Sequence, residues 1–414
     1  MSSGSIDVRF FDLILCVSRA LDLLSLDLSD HHMRVAYVAA RIADGLGLPV
    51  QDRQDAVLAG ALHDVGAVSG TLRLSLQNYA VAGDIPLDAT LEESVHTHAI
   101  EGYLLLRDFP PFARAAEAVR YHHVEWNYRR GSECNNAAVP LLSHVLHLAD
   151  RVAVLPRPRG DILEQSTDIR RKVVDDAGRR YHPQAVAAFT HASRSESFWL
   201  DLVSPHKEEI IRSGFDGQNV ALDLDELYEL ARLFARIIDF RSPYTAIHSS
   251  TVAAKAERIA QLLHIDPVKT RLIGTAGFLH DLGKLAVPAE ILDKPGKLTP
   301  QEMRIIKQHP YYTYRILSQV PGLEEINTYA SLHHERLDGQ GYPFRKQTIP
   351  QGARIIAVAD VFTAISEQRP YRAGMTRQAA IALLNRFVDE GALDGDIVAL
   401  VRTHFDDIQN HTGS

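Results

Sequence analysis

The sequence predicts an all-α protein built from two tandem helical domains, and three observations lead to this prediction. The 414 residues exceed an ordinary single domain, so two domains of roughly 200 residues are the natural expectation. Apolar residues recur at helical spacing, whereas runs of alternating apolar and polar residues are scarce. Polar residues of the first half recur in the same order in the second half. We therefore expect an N-terminal domain over residues 1–217 and a C-terminal domain over residues 218–414.

Helical periodicity is clearest near the start of the second half. Val252, Ala256 and Ile259 lie on one face of a predicted helix, and His248 lies one turn before Val252 on that face. Apolar spacing of the same kind predicts further helices over residues 222–238, 300–317, 354–366 and 377–388.

Local signals predict where two helices start and where the domains divide. Asp30 is a candidate N-cap for the first helix of the first repeat, because aspartate accepts from free N–H groups at helix starts. Thr299-Pro300 followed by Glu302 indicates another helix start. Turn-forming residues at 213–217 favour a domain boundary near residues 215–221.

An internal repeat links the two halves. An offset of 217 residues aligns two His-Asp dipeptides. Further along the chain the offset falls to 211 and then to 210, as differences in loop length between the two halves would produce. The paired positions are His31 with His248, His63-Asp64 with His280-Asp281, His98 with His309, His122-His123 with His333-His334, and Asp150 with Asp360.

Composition narrows the classes of partner. A net charge of −8 argues against a DNA or RNA duplex, although arginines and a metal ion could still bind a small anion locally. The two cysteines, Cys16 and Cys134, have no CxxC spacing, which excludes a disulfide framework or a thiolate zinc site. No signal peptide and no run of 18 uncharged apolar residues is found. We expect a cytoplasmic protein with no membrane partner.

The His280-Asp281 pair has two chemical interpretations. A buried His–Asp hydrogen bond is one, because burying both groups without compensation costs several kcal/mol. The other is a pair of metal ligands, with the imidazole binding one ion and the carboxylate bridging two. Adjacent residues on a helix diverge by about 100°, so they could reach two ions a few ångströms apart. The recurrence of the whole set in both halves favours metal binding.

The complete set offers five histidines and two carboxylates, which is enough for two ions with positions left for water and substrate. Nitrogen and oxygen donors without sulfur favour iron, manganese or similar divalent ions. Two such ions lower the pKa of a bridging water and stabilise phosphoryl transfer. Lys284, one turn after His280, could bind the phosphate or protonate a leaving oxygen, and its alternative is a solvent-facing lysine at a helix end.

The segments that carry these residues resemble the HD-GYP family, a branch of the HD-domain phosphohydrolases. The resemblance covers residues 222–410 and includes the Gly-Tyr-Pro motif of the family name. The matching segments are Leu279-His280-Asp281-Leu282-Gly283-Lys284, Lys307-Gln308-His309-Pro310, His333-His334-Glu335-Arg336-Leu337-Asp338-Gly339-Gln340-Gly341-Tyr342-Pro343, Val358-Ala359-Asp360 and Arg369-Pro370-Tyr371-Arg372.

The resemblance implies a helical di-metal domain, often with iron, in which activated hydroxide cleaves a cyclic dinucleotide second messenger. The substrate would be cyclic di-GMP or 3'3'-cyclic GMP-AMP (cGAMP), and the product a linear dinucleotide or mononucleotides. Some members bind a third metal through a glutamate where this chain has Tyr244, so we expect two ions, iron or manganese. Thr363 also replaces an aspartate found in many members. The resemblance assigns metal binding to His248, His280, Asp281, His309, His333, His334 and Asp360, catalysis to Asp281 and Lys284, and substrate contacts to Lys284, Gly341, Tyr342, Pro343, Arg369 and Arg372.

The first half resembles a plain HD domain. It has Ala67 in place of the lysine and lacks the Gly-Tyr-Pro motif. Three roles stay open for it: a second di-metal site, catalysis of its own at that site, or a regulatory or dimerising role within a homodimer. Its candidate ligands are His31, His63, Asp64, His98, His122, His123 and Asp150.

Two alternative functions stay open for the second half. One is a phosphohydrolase of a monomeric nucleotide, and the other is a sensor that binds a dinucleotide or a metal without turnover. A substrate panel separates the first from a cyclic-dinucleotide phosphodiesterase. Binding without any product would identify the second.

Overall fold

In this computed structural model the described residues are 8–23, 30–68, 89–157, 159–214, 221–240, 248–294, 296–367 and 374–411. They form two compact units, which we call the N-terminal unit (Leu21–Asn219) and the C-terminal unit (Met1–Ala20 with Val220–Ser414). Helices dominate both units, which confirms the all-α prediction. The start of the chain packs with the C-terminal unit, so the units differ there from the predicted ranges 1–217 and 218–414. The predicted boundary itself lies outside the described residues.

The N-terminal unit contains helices and one short antiparallel strand pair. Glu133–Cys134 pairs with Ala137–Ala138. The α-helices are His31–Gly45, Val50–Leu62, Ala89–Leu106, Ala113–Arg120, Leu141–Val154, Ile162–Asp175, Pro183–Ala192, Glu196–Val203 and Lys207–Gly214, and the 3-10 segments are Val65–Val68, Pro110–Phe112 and Asn127–Ser132.

The C-terminal unit is also helical. The strand Val8–Arg9 pairs antiparallel with Ala221–Leu222, and the helix Phe10–Asp22 follows directly. Its other α-helices are Leu224–Phe240, His248–Leu262, Pro267–Leu279, Ala289–Leu292, Pro300–Ile306, His309–Leu317, Glu324–Ser331, Gln351–Ser366, Arg377–Asp389, Gly395–Thr403 and Phe405–Asn410, with a 3-10 segment at Leu282–Ala286.

The repeat in the sequence corresponds to a repeated helical core. In each unit, the helix that begins at the first repeated histidine packs against the helix before the His-Asp dipeptide and the helix that carries the last aspartate. These sets are His31–Gly45 with Val50–Leu62 and Leu141–Val154, and His248–Leu262 with Pro267–Leu279 and Gln351–Ser366.

A glycine lets the first two helices of each core approach closely. A Cβ at Gly60 would lie 2.5 Å from the Ala36 Cα, and a Cβ at Gly277 would lie 2.8 Å from the Ala253 Cα. Real side chains do not tolerate such distances, so glycine is required at both crossings. These four positions obey the same 217-residue offset, which aligns the cores as well as the histidines.

The predicted helix over 300–317 is wrong in one respect, because the structure divides it into Pro300–Ile306 and His309–Leu317. Pro310 lies in the first turn of the second helix, where its missing N–H leaves no hydrogen bond unmade. The predicted start at Thr299 is confirmed: Thr299 and Glu302 form a reciprocal capping box.

Asp30 occupies the predicted N-cap position of the helix His31–Gly45, but its side chain does not cap the helix. Asp30 has φ 73° and its side chain accepts no hydrogen bond from the helix that follows. Its carboxylate instead forms an ion pair with the buried Lys207. The carboxylate of Asp22 accepts from the backbone N–H of Asp30 at 3.1 Å and of His32 at 3.4 Å, so Asp22 serves this helix start.

The remaining predicted helices are confirmed with shifted ends. The helix predicted over 222–238 begins at Leu224, because Leu222 is engaged in strand pairing. Those predicted over 354–366 and 377–388 are Gln351–Ser366 and Arg377–Asp389. None of the described helices combines the length and the apolar character that crossing a bilayer requires.

Candidate metal centre

The predicted ligands of the C-terminal unit lie mostly at helix ends. His248 and His309 are the first residues of their helices, and His280-Asp281 directly follows the helix Pro267–Leu279. The earlier expectation that His280-Asp281 lies within a helix is therefore wrong. His333-His334 follows Glu324–Ser331, and Asp360 lies within Gln351–Ser366. The ends of several helices therefore converge on one point.

Distances between donor atoms are short throughout this set. The Asp281 carboxylate lies 3.2 Å from His280 Nε2 and 3.3 Å from His309 Nε2. Asp360 Oδ1 lies 3.2 Å from His248 Nε2. Three groups have all their ligand atoms within 4.8 Å of one another: His248 with His280 and Asp281, His280 with His333 and Asp360, and His309 with His333 and His334.

Backbone carbonyls fix the orientation of three of the histidine rings. Nδ1 of His280, His309 and His333 donates to the carbonyl of the residue three positions earlier, at 2.7, 2.8 and 2.6 Å. A carbonyl can only accept, so the proton resides on Nδ1 and the Nε2 lone pair points into the cluster. This is the tautomer that a metal ion requires. Nε2 of the fully buried His280 has no hydrogen-bond partner among the described residues.

The electrostatics favour metal binding at two histidines and at one aspartate, whereas His248 is protonated near neutral pH and would release a proton on binding a metal. Burial lowers the pKa of His309 to about 3 and that of His334 to about 4, so both imidazoles are neutral at pH 7. Burial alone would raise the pKa of Asp281, but His280 and Lys284 hold it well below its usual range. Burial would lower the pKa of His248, yet Asp360 raises it to about 9.

Lys284 lies beside the carboxylate of the pair. Its Nζ is 2.5 Å from Asp281 Oδ2, and a quarter of its side chain is exposed. Burial tends to lower the pKa of Lys284, but the charge of Asp281 raises it above its ordinary value. The ammonium therefore stays charged at neutral pH.

The Gly-Tyr-Pro stretch lies against the cluster through its tyrosine. The rings of Tyr342 and His334 stack with centroids 4.8 Å apart, and the Tyr342 N–H donates to the His334 carbonyl at 3.2 Å. Lys307 Nζ lies 5.0 Å from the centre of the Tyr342 ring. Pro343 follows directly. Arg369 and Arg372 lie outside the described residues, as does Tyr244.

The N-terminal unit brings the equivalent residues together. Asp64 lies 3.3 Å from both His63 Nε2 and His98 Nε2, and Asp150 lies 3.3 Å from His31 Nε2. Two groups have mutually close ligand atoms: His31 with His63 and Asp64, and Asp64 with His98, His122 and His123.

The two centres differ in the positively charged side chain that lies beside a candidate aspartate ligand. In the N-terminal unit Ala67 replaces the lysine, and Arg151 Nη2 lies 2.5 Å from Asp150 Oδ2. That pairing occupies one oxygen of a candidate ligand. His63 and His122 still donate Nδ1 to the carbonyls of Gly60 and Val119, at 2.9 and 2.6 Å.

Sequence reasoning missed supporting carboxylates in the C-terminal unit. Asp239 Oδ2 accepts from the Ser249 N–H at 3.0 Å and Asp239 Oδ1 from the Ser249 hydroxyl at 2.7 Å, which fixes the helix start at His248. Asp239 and Asp22 obey the 217-residue offset, so the repeat could have revealed them. The carboxylate of Glu335 accepts hydrogen bonds from three backbone N–H groups, and the repeat did not indicate this role.

The residues present fit divalent metal ions. Each centre combines buried imidazole nitrogens, oriented by carbonyls, with carboxylate oxygens, which is a donor set for borderline divalent cations. HD domains bind divalent metals, and these clusters have the composition to hold them.

Comparison with known proteins agrees with this arrangement. A family model described as "HD domain" matches residues 232–397, and a second one of the same description matches residues 28–155. A 3'3'-cGAMP-specific phosphodiesterase of Vibrio cholerae is 30% identical over 406 residues, which is 93% of this chain and 89% of that protein. The cyclic di-GMP phosphodiesterase response regulator RpfG of Xanthomonas campestris is 42% identical over 159 residues, 37% of this chain and 42% of its own.

A solved structure shares the fold. The crystal structure of a cyclic GMP-AMP-specific phosphodiesterase in V. cholerae matches with a TM-score of 0.65 at 24% identity, over 96% of this chain and 98% of that one. The two HD matches and the near full-length relative together establish the family. The chain belongs to the HD-GYP-type family of cyclic-dinucleotide phosphodiesterases and carries two HD domains in tandem.

Proposed function

We propose that the C-terminal unit hydrolyses a cyclic dinucleotide and that 3'3'-cGAMP is its preferred substrate. The observation that carries the proposal is the set of five histidines and two aspartates, buried except for the partly exposed His334 and Asp360, with Lys284 beside it. The preference for cGAMP draws on the relatives: two that are similar over 93% and 71% of this chain are named cGAMP-specific, whereas the cyclic di-GMP enzyme RpfG is similar over 37% of it.

In this proposal the seven C-terminal ligands hold two divalent ions, iron or manganese. The bound ions would supply an activated water and would neutralise charge on the phosphate. Lys284 contributes a fixed positive charge at the same place. Because Asp281 raises its pKa, Lys284 stabilises negative charge on the phosphate or the leaving oxygen better than it releases a proton.

The Gly-Tyr-Pro stretch forms the proposed substrate side. Tyr342 packs on His334, so a nucleotide bound at the ions would meet this ring at the edge of the cluster. Pro343 and Gly341 shape the chain on either side of the tyrosine. Arg369 and Arg372 are proposed as phosphate contacts, because guanidinium groups bind phosphate oxygens in pairs.

Substrate cleavage by purified protein tests the proposal. Protein loaded with Mn²⁺ or Fe²⁺ under anaerobic conditions should convert 3'3'-cGAMP faster than cyclic di-GMP, with 2',3'-cyclic mononucleotides and nucleoside monophosphates as comparison substrates. His280→Ala and Asp281→Asn should each reduce turnover by about 100-fold or more, because each removes a ligand. His191→Ala, at an exposed histidine, is the matched control. Wild-type turnover in both site variants would contradict the proposal.

We also propose that the N-terminal cluster holds divalent metal without cleaving the cyclic dinucleotide. Its support is the second set of carbonyl-oriented histidines, together with the missing lysine at Ala67 and the engagement of Asp150 by Arg151. Elemental analysis tests it: His280→Ala protein should keep bound metal, and adding His63→Ala should remove that remainder. Sedimentation velocity on the same preparations tests the expected homodimer.

A further inference from the structure

One candidate ligand histidine of the C-terminal unit differs from three of the others in the hydrogen bonding of its second ring nitrogen. His280, His309 and His333 donate Nδ1 to backbone carbonyls. Nδ1 of the buried His248 has no hydrogen-bond partner among the described residues. The Oε2 atom of Glu367 lies 3.6 Å from this nitrogen, which is an ion-pair distance and slightly too long for a direct hydrogen bond.

Glu367 is held close to His248 by the helix that also supplies Asp360. It directly follows the helix Gln351–Ser366, two turns after Asp360, whose Oδ1 lies 3.2 Å from His248 Nε2. The same helix therefore presents one carboxylate to each nitrogen of the His248 ring. The Oε1 atom of Glu367 is buried and has no hydrogen-bond partner among the described residues, so the carboxylate has no competing engagement there.

A buried lysine fixes the end of this helix. Lys255 lies two turns after His248 on the helix His248–Leu262 and is 2% exposed. Its Nζ donates to the Ser366 hydroxyl at 3.1 Å and interacts electrostatically with Glu367. This ammonium balances the charge of Glu367 and ties residues 366 and 367 to the helix that begins with His248.

We infer that Glu367 is a positioning residue for His248: it takes the Nδ1 proton as its partner and leaves Nε2 as the metal ligand. The inference rests on the proposed metal centre of the C-terminal unit. A carboxylate on the outer nitrogen fixes the ring orientation and the tautomer and makes the inner nitrogen a stronger donor. Glu367 thus does for His248 what backbone carbonyls do for His280, His309 and His333.

The N-terminal unit provides an internal contrast. Under the offset of 210 residues that pairs Asp150 with Asp360, Arg157 stands at the position of Glu367. Among the residues that the structure describes, Asp150 is the one carboxylate within ion-pair distance of His31. The described part of the N-terminal centre therefore has no counterpart of Glu367, and we expect its metal to be bound less tightly at that histidine.

The affinity for Mn²⁺, measured without substrate, tests the inference. Free Mn²⁺ is followed by electron paramagnetic resonance during titration of the full-length chain, in a His63→Ala background so that binding reports the C-terminal centre. Glu367→Ala should weaken binding by about 10- to 100-fold, and Glu367→Gln should recover part of the loss because its amide oxygen can still accept from Nδ1. Glu290→Ala, at an exposed glutamate, should bind like the parent.

Mn²⁺ affinity within twofold of the parent in both Glu367 variants would overturn the inference, provided circular dichroism shows that they are folded. If Glu367→Ala does not fold, the isosteric Glu367→Gln decides: unchanged affinity overturns the inference, and a partial loss supports it. Failure of the proposed function is distinguishable, because a parent protein that binds Mn²⁺ but cleaves no cyclic dinucleotide would contradict the substrate and leave the Glu367 result intact. A parent that binds no Mn²⁺ would overturn both.

Discussion

The carboxylate of Glu335 offers a sharp test of how the Gly-Tyr-Pro stretch is held in place. Glu335 is 3% exposed and directly follows the candidate metal ligand His334. Its Oε1 accepts from the backbone N–H groups of Phe344 at 2.7 Å and Arg345 at 3.1 Å, and its Oε2 accepts from that of Lys346 at 3.0 Å. One charged group thus fixes the three residues that follow Pro343.

The variant Glu335→Gln removes the negative charge and one of the two acceptor oxygens. The remaining amide oxygen can keep the two N–H groups now bound to Oε1, but the new amide N–H₂ would face the Lys346 N–H, donor against donor. Losing one charge-assisted hydrogen bond and weakening two should cost about 1–3 kcal/mol locally. Glu335→Ala leaves all three donors unpaired and should cost more.

Hydrogen exchange with mass spectrometry measures this locally, which matters because a two-unit protein need not unfold in one step. The segment 341–346 should exchange about 5- to 150-fold faster in Glu335→Gln. The KM for the cyclic dinucleotide should rise, since Tyr342 loses its support. Glu324→Gln, which removes a surface carboxylate that accepts from the Gly322 N–H at 3.2 Å, is the matched control. Unchanged exchange in 341–346 would refute the reasoning.

Three further perturbations have expected outcomes. Gly341→Ala should raise the KM at least several-fold and lower the thermal midpoint, because the new Cβ would lie 2.4 Å from the Glu335 Cα; unaltered kinetics would mean that the backbone shifts freely. Lys207→Met should lower the free energy of unfolding of the N-terminal unit in urea by roughly 1–3 kcal/mol, because it removes the buried partner of Asp30. Because Asp30 is partly exposed, we expect a value near the lower end. An unchanged urea midpoint would show that the ion pair does not contribute to stability. Burial lowers the pKa of Lys255 to about 8, so the folded state releases this proton at lower pH than the unfolded chain does. The wild-type protein should therefore gain stability relative to Lys255→Met as the pH rises from about 8 to about 10.4. A constant difference in thermal midpoint over that range would contradict this.

The ligand set could be predicted from the sequence because it occurs twice with nearly constant spacing. The break before His309 was missed because apolar spacing continues through it, although Pro310 signals it: a proline within a helical pattern favours a new helix start at that place. Glu335 escaped prediction because its partners are backbone N–H groups, which every residue has. Glu367 escaped because a single carboxylate at a helix end resembles a solvated side chain until its neighbours are known. Asp30 has the right residue type for an N-cap but the wrong backbone angles.

The strand Val8–Arg9 has a consequence for how the chain reaches its native state. It pairs with Ala221–Leu222, and the helix after it contacts the C-terminal unit, where Cys16 Sγ lies 3.7 Å from the Ile316 carbonyl. The whole N-terminal unit is therefore an insertion between two pieces of its neighbour. During synthesis, about 200 further residues must be made after residues 8–20 before their partners leave the ribosome, which takes roughly 10–40 s. A fragment that starts at residue 218 lacks that piece, so an isolated C-terminal half would lose the strand partner of Ala221–Leu222 and the buried apolar side chains of residues 8–20.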